Sequence, residues 1–351
     1  MEPFKTPNKC KRLEPKSEAH TPIRIPPSPF LKHLGYGCGV SVFTLERSPK
    51  VGFARSPWAI KKLNRKITDD KRYTERIRLE ADILRKLSHP NIVGFRGIGD
   101  TLKGDLCLAM EKLDQSLGDL IEEMVEADKR SFPASDILKI SFEVAKGLEY
   151  LHHTAHILHG DVKSFNILVS DNCNVVKLCD FGVSVPLTDS LEMDTSKGKY
   201  TYIGTECWSP PEVINECGPI TNKADMWAYG LVIWEMIALS PPHIESDNDS
   251  TEDASFSDAS FSDAKTTNES CATDMDDTLE CLKNCYSSKY GTRPPLPAME
   301  VGPEYQHVLE IFFACTDTDY KTRPSAKGVV KYFENYVKAK STSMASNTNT
   351  N

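Results

Sequence analysis

This 351-residue sequence lacks any long apolar run and any segment typical of secretion. No stretch approaches the roughly 18 uninterrupted apolar residues that a membrane-spanning helix needs. The basic residues between positions 5 and 12 are not followed by the apolar region of a secretory signal. The net charge of -8 gives nucleic-acid binding no compositional support. We therefore expect an intracellular protein of the cytoplasm, the nucleus or both, without membrane or nucleic-acid partners.

A disulfide framework is also missing, although the sequence contains 11 cysteines. The cysteines have no regular spacing, and Cys107, Cys179 and Cys315 lie inside apolar runs, as expected of reduced thiols. Cys281 and Cys285 are spaced like half of a metal site, but no histidine or second cysteine pair completes it. We favour ordinary free thiols there.

The acidic excess lies in one segment, residues 245–278. This segment holds 11 Asp or Glu residues and one Lys, a net charge of -10 that leaves +2 for the rest of the chain. It is too polar to bury enough surface to offset chain entropy, so we predict a disordered insert, either a solvated spacer, which we favour, or a set of acid-directed phosphorylation sites. We also predict a disordered regulatory tail at 1–29 and a disordered tail at 338–351. A folded domain from about 30 to 337 remains.

Hydrophobic patterning divides that domain into a strand-rich first part and a helical second part. Short β-type runs are predicted at 40–45, 58–63, 92–95 and 106–110. One helix, predicted at 69–87, interrupts them. After about residue 116 helical spacing takes over, with an apolar stripe from Ile137 to Leu151. Residues 227–239 are apolar almost all round, which predicts a helix at the centre of the second part.

Residues 35–42 (GYGCGVSV) form a glycine-rich turn between two predicted strands. The missing Cβ atoms let backbone N–H groups approach phosphate oxygens, although such turns are common. Lys61 follows on the apolar strand 58–63, where a buried charge needs a partner, and Glu80 on the next helix is the natural one. The alternative is a lysine in solvent at a strand end. With the glycine-rich turn nearby, the pattern favours a nucleotide site.

The strongest local signal is the loop at residues 159–166 (HGDVKSFN), which combines a carboxylate, a cation and an amide. Asp180, followed by Phe and Gly, comes fourteen residues after this loop. Asp161 is placed to accept or orient a substrate hydroxyl proton, and Lys163 to neutralise a phosphate. Asn166 and Asp180 offer the oxygen ligands that magnesium prefers. The spacing predicts phosphoryl transfer.

In this order, the residues resemble the motif set of the protein kinases. Further matches are Met110-Glu111 as gatekeeper and hinge, Pro211-Glu212, residues 225–230 (DMWAYG) and Arg323-Pro324. The resemblance implies an α+β, bilobal eukaryotic protein kinase fold, with a small sheet and one helix in an N-lobe over 30–112 and a larger, mostly helical C-lobe over 113–337. It implies ATP and Mg²⁺ as cofactors and proteins as substrates.

The resemblance also implies which residues form the site. Asp161, Lys163 and Asn166 are the expected catalytic residues, and Asn166 and Asp180 the expected metal ligands. The expected nucleotide-binding residues are Leu34, Gly35, Tyr36, Gly37, Cys38, Gly39, Val40, Ser41, Val42, Ala59, Lys61, Glu80, Met110, Glu111, Leu113, Ser116 and Leu168.

Three further expectations concern the activation segment. Glu212 and Arg323 should form a buried ion pair. Thr205, which follows a glycine as in the Ser/Thr-directed kinases, should contact Asp161 and Lys163. Serine and threonine are therefore the expected acceptors, and dual specificity stays open.

Several segments are most similar to kinases related to the MAP kinase kinases. They are residues 4–7, 28–30, 159–161 and the insert before 291–295. This similarity implies a role in mitosis and mitogen-activated signalling, with MAP kinases as candidate substrates. Two rival hypotheses are a catalytically inactive scaffold with a kinase fold and a small-molecule phosphotransferase. The complete catalytic set argues against the first rival, and the activation segment argues against the second.

Two residues depart from the family pattern. Val40 stands where kinases usually have the third glycine of the loop, so the roof over the nucleotide should be stiffer. Gly160 replaces the arginine that clamps a phosphorylated activation loop in most kinases. Thr201 is nevertheless the best candidate for phosphorylation in that loop, by analogy with MAP kinase kinases.

The two ends of the chain suggest how it is regulated. Thr6 and Thr21 each precede a proline, with a basic residue two positions further on, and resemble cyclin-dependent kinase sites. The alternative is incidental proline in a disordered tail. The last residues, Thr348-Asn-Thr-Asn351, lack the terminal hydrophobic residue that a class I PDZ groove needs, so we do not expect PDZ binding.

Overall fold

The computed structural model describes residues 31–37, 40–46, 56–63, 71–100, 106–198, 200–243, 289–298 and 302–348. In this part of the chain, a small lobe is built on an antiparallel sheet and a larger lobe consists mostly of helices. The predicted α+β, bilobal architecture is therefore confirmed. The predicted tail 1–29, the insert 245–278, and Cys281 and Cys285 lie outside the described residues.

The small lobe combines a sheet with one helix. Its elements are β1 (Leu31–Gly37), β2 (Val40–Leu45), β3 (Trp58–Leu63), α1 (Lys71–Leu84), β4 (Phe95–Asp100) and β5 (Leu106–Glu111). The strand order is β1-β2-β3-β5-β4, and neighbouring strands are antiparallel. Ile77, Ala81 and Leu84 recur at helical spacing on α1 and are buried, so this face of the helix packs into the core.

The fourth strand differs from the prediction. The sequence pattern predicts a strand at 92–95, but Ile92 and Val93 are buried against the large lobe. The Val93 N–H donates to the Leu178 carbonyl at 3.0 Å, and Ile92 forms a parallel bridge with Leu178. The strand that joins the sheet is β4, whose sequence FRGIGD contains two glycines. Because glycine disfavours strands, periodicity indicated the adjacent apolar run instead.

The large lobe contains the remaining helices and short strands. They are β6 (Gln115–Ser116), α2 (Leu117–Glu126), α3 (Ala134–Tyr150), β7 (Ile157–Leu158), β8 (Ile167–Ser170), β9 (Val175–Leu178), β10 (Val185–Pro186), α4 (Pro211–Ile214), α5 (Lys223–Ala238), α6 (Gln306–Cys315) and α7 (Ala326–Thr348). β8 lies between β6 and β9, and β7 pairs with β10. The loops beside these short strands carry the predicted catalytic residues.

Two helices organise the core of the large lobe. The predicted apolar stripe of α3 is buried, and every residue of α5 from Ala224 to Ile237 is buried. The central position predicted for residues 227–239 is therefore confirmed. Because α5 is surrounded by protein, each polar side chain on it must find a partner inside the lobe.

The C-terminal helix is longer than predicted. The sequence pattern predicts a disordered tail from residue 338, but α7 continues through Thr348. Residues 338–348 include Lys, Ala and Met, which favour helices, and contain neither Pro nor Gly to end one. Helix propensity prevailed over the polar composition on which the prediction was based. Residues 349–351 lie outside the described part of the chain.

Candidate active site

Three charged side chains from both lobes meet in the cleft, and we call them the nucleotide-side cluster: Lys61, Glu80 and Asp180. Lys61 on β3 lies 2.9 Å from Glu80 on α1 and 2.9 Å from Asp180, which follows β9. The predicted pair of Lys61 and Glu80 is thereby confirmed as a contact. The Glu80 side chain is 1% exposed and that of Asp180 is 40% exposed, so Asp180 is the carboxylate that faces the cleft.

Electrostatics keeps Lys61 and Asp180 ionised, whereas burial raises the pKa of Glu80 to about 7. Burial alone would lower the pKa of Lys61, but the charges of Asp180 and Glu80 outweigh burial and raise that pKa. Burial alone would raise the pKa of Asp180, but the Lys61 charge dominates and lowers it to about 2. Asp180 is therefore an anion at any physiological pH and can serve as a metal ligand.

The residues after β9 connect the cluster to the core. Asp180 has φ +63, a left-handed conformation that is uncommon outside glycine. Phe181 is fully buried, and its ring lies 5.0 Å from the His159 ring. Gly182 donates its N–H to Asp180 Oδ1 at 3.3 Å. Phe181 thus packs the segment after β9 against the catalytic loop of the large lobe.

A second group lies wholly in the large lobe, and we call it the hydroxyl-side cluster: Asp161, Lys163, Asn166 and Thr205. The Thr205 hydroxyl donates to Asp161 Oδ1 at 2.7 Å, and Lys163 Nζ donates to Thr205 Oγ1 at 2.8 Å. Lys163 lies 3.0 Å from Asp161 Oδ2. The predicted contacts of Thr205 are confirmed. A threonine hydroxyl here is held between a carboxylate and a cation, which is the chemistry that an acceptor hydroxyl requires.

Asn166 is oriented by Asp161. Its Nδ2 donates to the Asp161 carboxylate at 2.9 Å and to the Asp161 carbonyl at 2.8 Å. Both hydrogen bonds use the amide nitrogen, so the amide oxygen is the atom available to a cation. This oxygen and the Asp180 carboxylate suit Mg²⁺, which is bound through few protein oxygens together with water and phosphate. Across the described ranges, no group of three or more His, Cys, Asp or Glu side chains could hold a metal without such help.

Asp225, a buried residue of α5, anchors the backbone of the catalytic loop. The carboxylate is 1% exposed and accepts the His159 N–H at 2.8 Å, the Gly160 N–H at 2.9 Å and a bond from His152 Nε2 at 2.8 Å. Burial would raise the pKa of Asp225, but these interactions lower it. The sequence pattern indicates Asp225 as a motif residue but does not indicate its role as an anchor. An acid inside an otherwise apolar helix was the available signal, because such a charge must be paired.

The predicted ion pair at the end of the activation segment is confirmed. Arg323 donates to both carboxylate oxygens of Glu212, at 2.7 Å and 2.8 Å, and neither side chain is more than 3% exposed. The guanidinium also lies 4.9 Å from the ring of Trp227. This bidentate geometry fixes α4 against the segment of the large lobe that carries Arg323.

The structure places the predicted nucleotide-binding residues as follows. Leu34, Gly35, Tyr36 and Gly37 lie on β1; Val40, Ser41 and Val42 on β2; Ala59 and Lys61 on β3; Glu80 on α1; Met110 and Glu111 on β5; Leu113 after β5; Ser116 on β6; and Leu168 on β8. Cys38 and Gly39 lie outside the described residues. Ala59 pairs with Met110 across adjacent strands, which aligns β3 with the segment between the lobes.

Two of these residues have structural partners. Glu111 Oε2 accepts the Gly94 N–H and a bond from Lys177 Nζ, each at 3.0 Å. The Ser116 hydroxyl oxygen accepts the Asp119 N–H at 3.0 Å and caps α2. Their side chains therefore serve the connection between the lobes and the start of α2, and nucleotide contact by either residue stays a prediction.

Gly160 occupies a conformation that favours glycine. Its φ is +81, and a Cβ atom there would lie 3.3 Å from the Val183 carbonyl oxygen. The absence of a side chain leaves no cation at this position. Thr201 is exposed in the activation segment. Thr6 and Thr21, the other predicted phosphorylation sites, lie outside the described residues.

No helix in the described ranges is long and apolar enough to cross a membrane.

Comparison with known proteins identifies a matching family and several similar proteins. The protein kinase domain family matches residues 30–333. The chain is 44% identical over 335 residues to the lymphokine-activated killer T-cell-originated protein kinase of Homo sapiens, a match that covers 94% of this chain and 97% of that protein. The mitogen-activated protein kinase kinase kinase zak-1 of Caenorhabditis elegans is 33% identical over 173 residues, 47% of this chain and 22% of that protein. The mitogen-activated protein kinase kinase kinase 13-B of Xenopus laevis is 36% identical over 172 residues, 48% of this chain and 16% of that protein.

The family match includes both charged clusters and the lobes that carry them. The predicted protein kinase fold and enzyme class are therefore confirmed. Because the match extends over nearly all of a relative that is itself a protein kinase, the chain belongs to the protein kinase family.

Proposed function

We propose that this protein kinase uses ATP and Mg²⁺ to phosphorylate serine and threonine residues of proteins. The observation that carries the proposal is the position of Lys61, 2.9 Å from Glu80 and 2.9 Å from Asp180. Phosphoryl transfer requires the lysine–glutamate pair and the metal-binding aspartate to be in place together. A kinase fold kept only as a scaffold would not need this arrangement.

Each residue has a proposed role. Asp161 accepts or orients the hydroxyl proton of the acceptor, and Lys163 neutralises the transferred phosphate. Lys61 holds the other phosphates against the glycine-rich turn. Asn166 and Asp180 would hold Mg²⁺, which would neutralise charge on the phosphate oxygens. The hydroxyl of Thr205, held by Asp161 and Lys163, supports a site built for aliphatic hydroxyls, and tyrosine is a second possible acceptor.

We also propose a place in signalling. The segments similar to MAP kinase kinases, together with the named relatives, favour a role in mitogen-activated signalling and mitosis, with MAP kinases as substrates. Cyclin-dependent kinases would act upstream on Thr6 and Thr21, and another kinase on Thr201. The enzyme would work in the cytoplasm, the nucleus or both, and binding to PDZ domains is not proposed.

The direct test is transfer of labelled phosphate from ATP to a generic protein substrate by purified protein with Mg²⁺. We expect transfer by the wild type, loss on chelation of Mg²⁺, and phosphoserine and phosphothreonine in the product. The Asp180→Asn variant should lose most activity because it removes the ionised metal ligand. Asp189→Asn is the matched control, since Asp189 is an exposed residue of the activation segment.

Equal transfer by the wild type and by Asp180→Asn would contradict the proposed metal site. Product that contained only phosphotyrosine would contradict the proposed acceptor.

Regulation needs a separate experiment. If Thr6 and Thr21 are mitotic sites, a Thr6→Ala, Thr21→Ala protein should lose the mitotic change in activity or location that the wild type shows. Unchanged activity and location of that protein through mitosis would contradict the proposed cyclin-dependent control.

A further inference from the structure

Glu235 is a buried carboxylate that the proposed mechanism does not use. It lies on α5 and is 2% exposed. Its described partners are three hydrogen-bond donors. Ser164 donates its hydroxyl to Oε1 at 2.6 Å and its N–H to Oε2 at 3.3 Å, and Trp208 donates Nε1–H to Oε2 at 2.9 Å.

Three donors on one carboxylate form an arrangement that favours the ionised form. Burial raises the pKa of Glu235 to about 7, even though the bonds from Ser164 and Trp208 oppose this shift. A buried charge is retained only where its surroundings satisfy it, so the two donor residues and the acid form one unit.

The donors belong to the two segments that meet at the acceptor site. Ser164 directly follows Lys163 in the catalytic loop. Trp208 belongs to the activation segment, and its backbone N–H donates to the Thr205 carbonyl at 3.0 Å. The same two segments are also joined at the active site, where Lys163 donates to Thr205 at 2.8 Å. The catalytic loop and the activation segment are therefore connected at two places, once through Lys163 and Thr205 and once through the buried Glu235.

We infer that Glu235 is a positioning residue for phosphoryl transfer: it holds Ser164 and Trp208 so that Lys163 and Thr205 keep their spacing at Asp161. Glu235 touches neither the acceptor nor the phosphate. Its contribution is the placement of the catalytic loop against the activation segment. This inference rests on the proposed kinase activity.

The test compares variants that remove one donor each. Ser164→Ala removes the hydroxyl and keeps the backbone N–H, whereas Trp208→Phe removes Nε1–H and keeps an aromatic ring. Each should lower kcat for a protein substrate by roughly 10-fold to 100-fold, because small misplacements of catalytic groups have effects of this size. The KM for ATP should not change, since the nucleotide-side cluster is intact.

A thermodynamic cycle shows whether the donors act through Glu235. In a Glu235→Gln background, Ser164→Ala should cost less activity than it does in the wild type, because the glutamine keeps only one acceptor oxygen and no charge for the two donors. Ser141→Ala is the matched control: Ser141 is also a buried serine of the large lobe, and its hydroxyl has no partner within the described residues.

The outcomes separate this inference from the proposed function. An inactive wild type would overturn both. An active wild type with unchanged kcat in Ser164→Ala and Trp208→Phe would overturn the inference alone, even if both variants melted at lower temperature. If Glu235→Gln does not fold, these two variants still decide the matter.

Discussion

The two clusters of the active site are held in different ways. The nucleotide-side cluster joins β3, α1 and the residues after β9 through ion pairs across the cleft. The hydroxyl-side cluster lies on one lobe, and the loop that carries it is anchored by backbone N–H groups on the buried Asp225. A displacement of α1 would therefore dismantle the first cluster and leave the second intact. We therefore expect kinase activity to be regulated more readily through the nucleotide-side cluster than through the hydroxyl-side cluster.

The largest effect is expected from Asp161→Asn, which breaks the hydroxyl side. The variant removes the carboxylate that orients the acceptor proton, so kcat should fall by roughly 10²- to 10⁴-fold. Phosphate transfer and ATP binding measured on the same preparation check this. ATP affinity should be kept, because Asp161 is not part of the nucleotide-side cluster. A loss of less than tenfold would argue against the proposed role.

The second effect is that of Lys61→Met, which breaks the nucleotide side. Loss of this cation should lower kcat by roughly 10²- to 10³-fold. Glu80 would be left buried without its cation, so hydrogen exchange should increase in α1 while the amides of His159 and Gly160 stay protected. Lys62→Met is the control on the same strand. Equal loss of protection in both places would show that the clusters are not independent.

Asp225→Asn should weaken the anchor of the hydroxyl side. The amide cannot accept all the bonds that the carboxylate accepts, and hydrogen bonds to charged groups contribute about 1.5–3 kcal/mol. We expect the free energy of unfolding to fall by about this amount in urea denaturation. Asp82→Asn, an exposed change on α1, should stay within about 0.5 kcal/mol of the wild type. Equal stability of the two variants would contradict the anchoring role.

The smallest effect concerns the backbone at Gly160. Gly160→Ala places a Cβ atom on a left-handed residue close to the Val183 carbonyl, which should cost about 1–2 kcal/mol of stability. Gly328→Ala on α7 is the control, and it should raise the free energy of unfolding, because alanine in a helix is more stable than glycine by roughly 0.5–1 kcal/mol. Thermal unfolding of both variants checks the pair. A stabilised Gly160→Ala protein would contradict the assigned conformation.

Much of the site could be predicted because its chemistry is local. The loop 159–166 carries Asp161, Lys163 and Asn166 within six residues, so they stay close together in the fold. Contacts between segments that are distant along the chain were harder to predict. The pair of Lys61 and Glu80 was predicted from the need to compensate a buried charge, whereas the partners of Glu235 come from two segments that periodicity does not relate to α5.

The sequence alone determined the family and the two-lobed α+β architecture, and it predicted the catalytic residues, because motif order and hydrophobic period are properties of the chain itself. Tertiary structure decided the rest. Ile92 and Val93 pair with β9 and not with the small sheet, and Asp225 and Glu235 anchor loops from inside α5. In each case, burial and hydrogen-bond satisfaction between distant segments decided the outcome, and these depend on the completed fold.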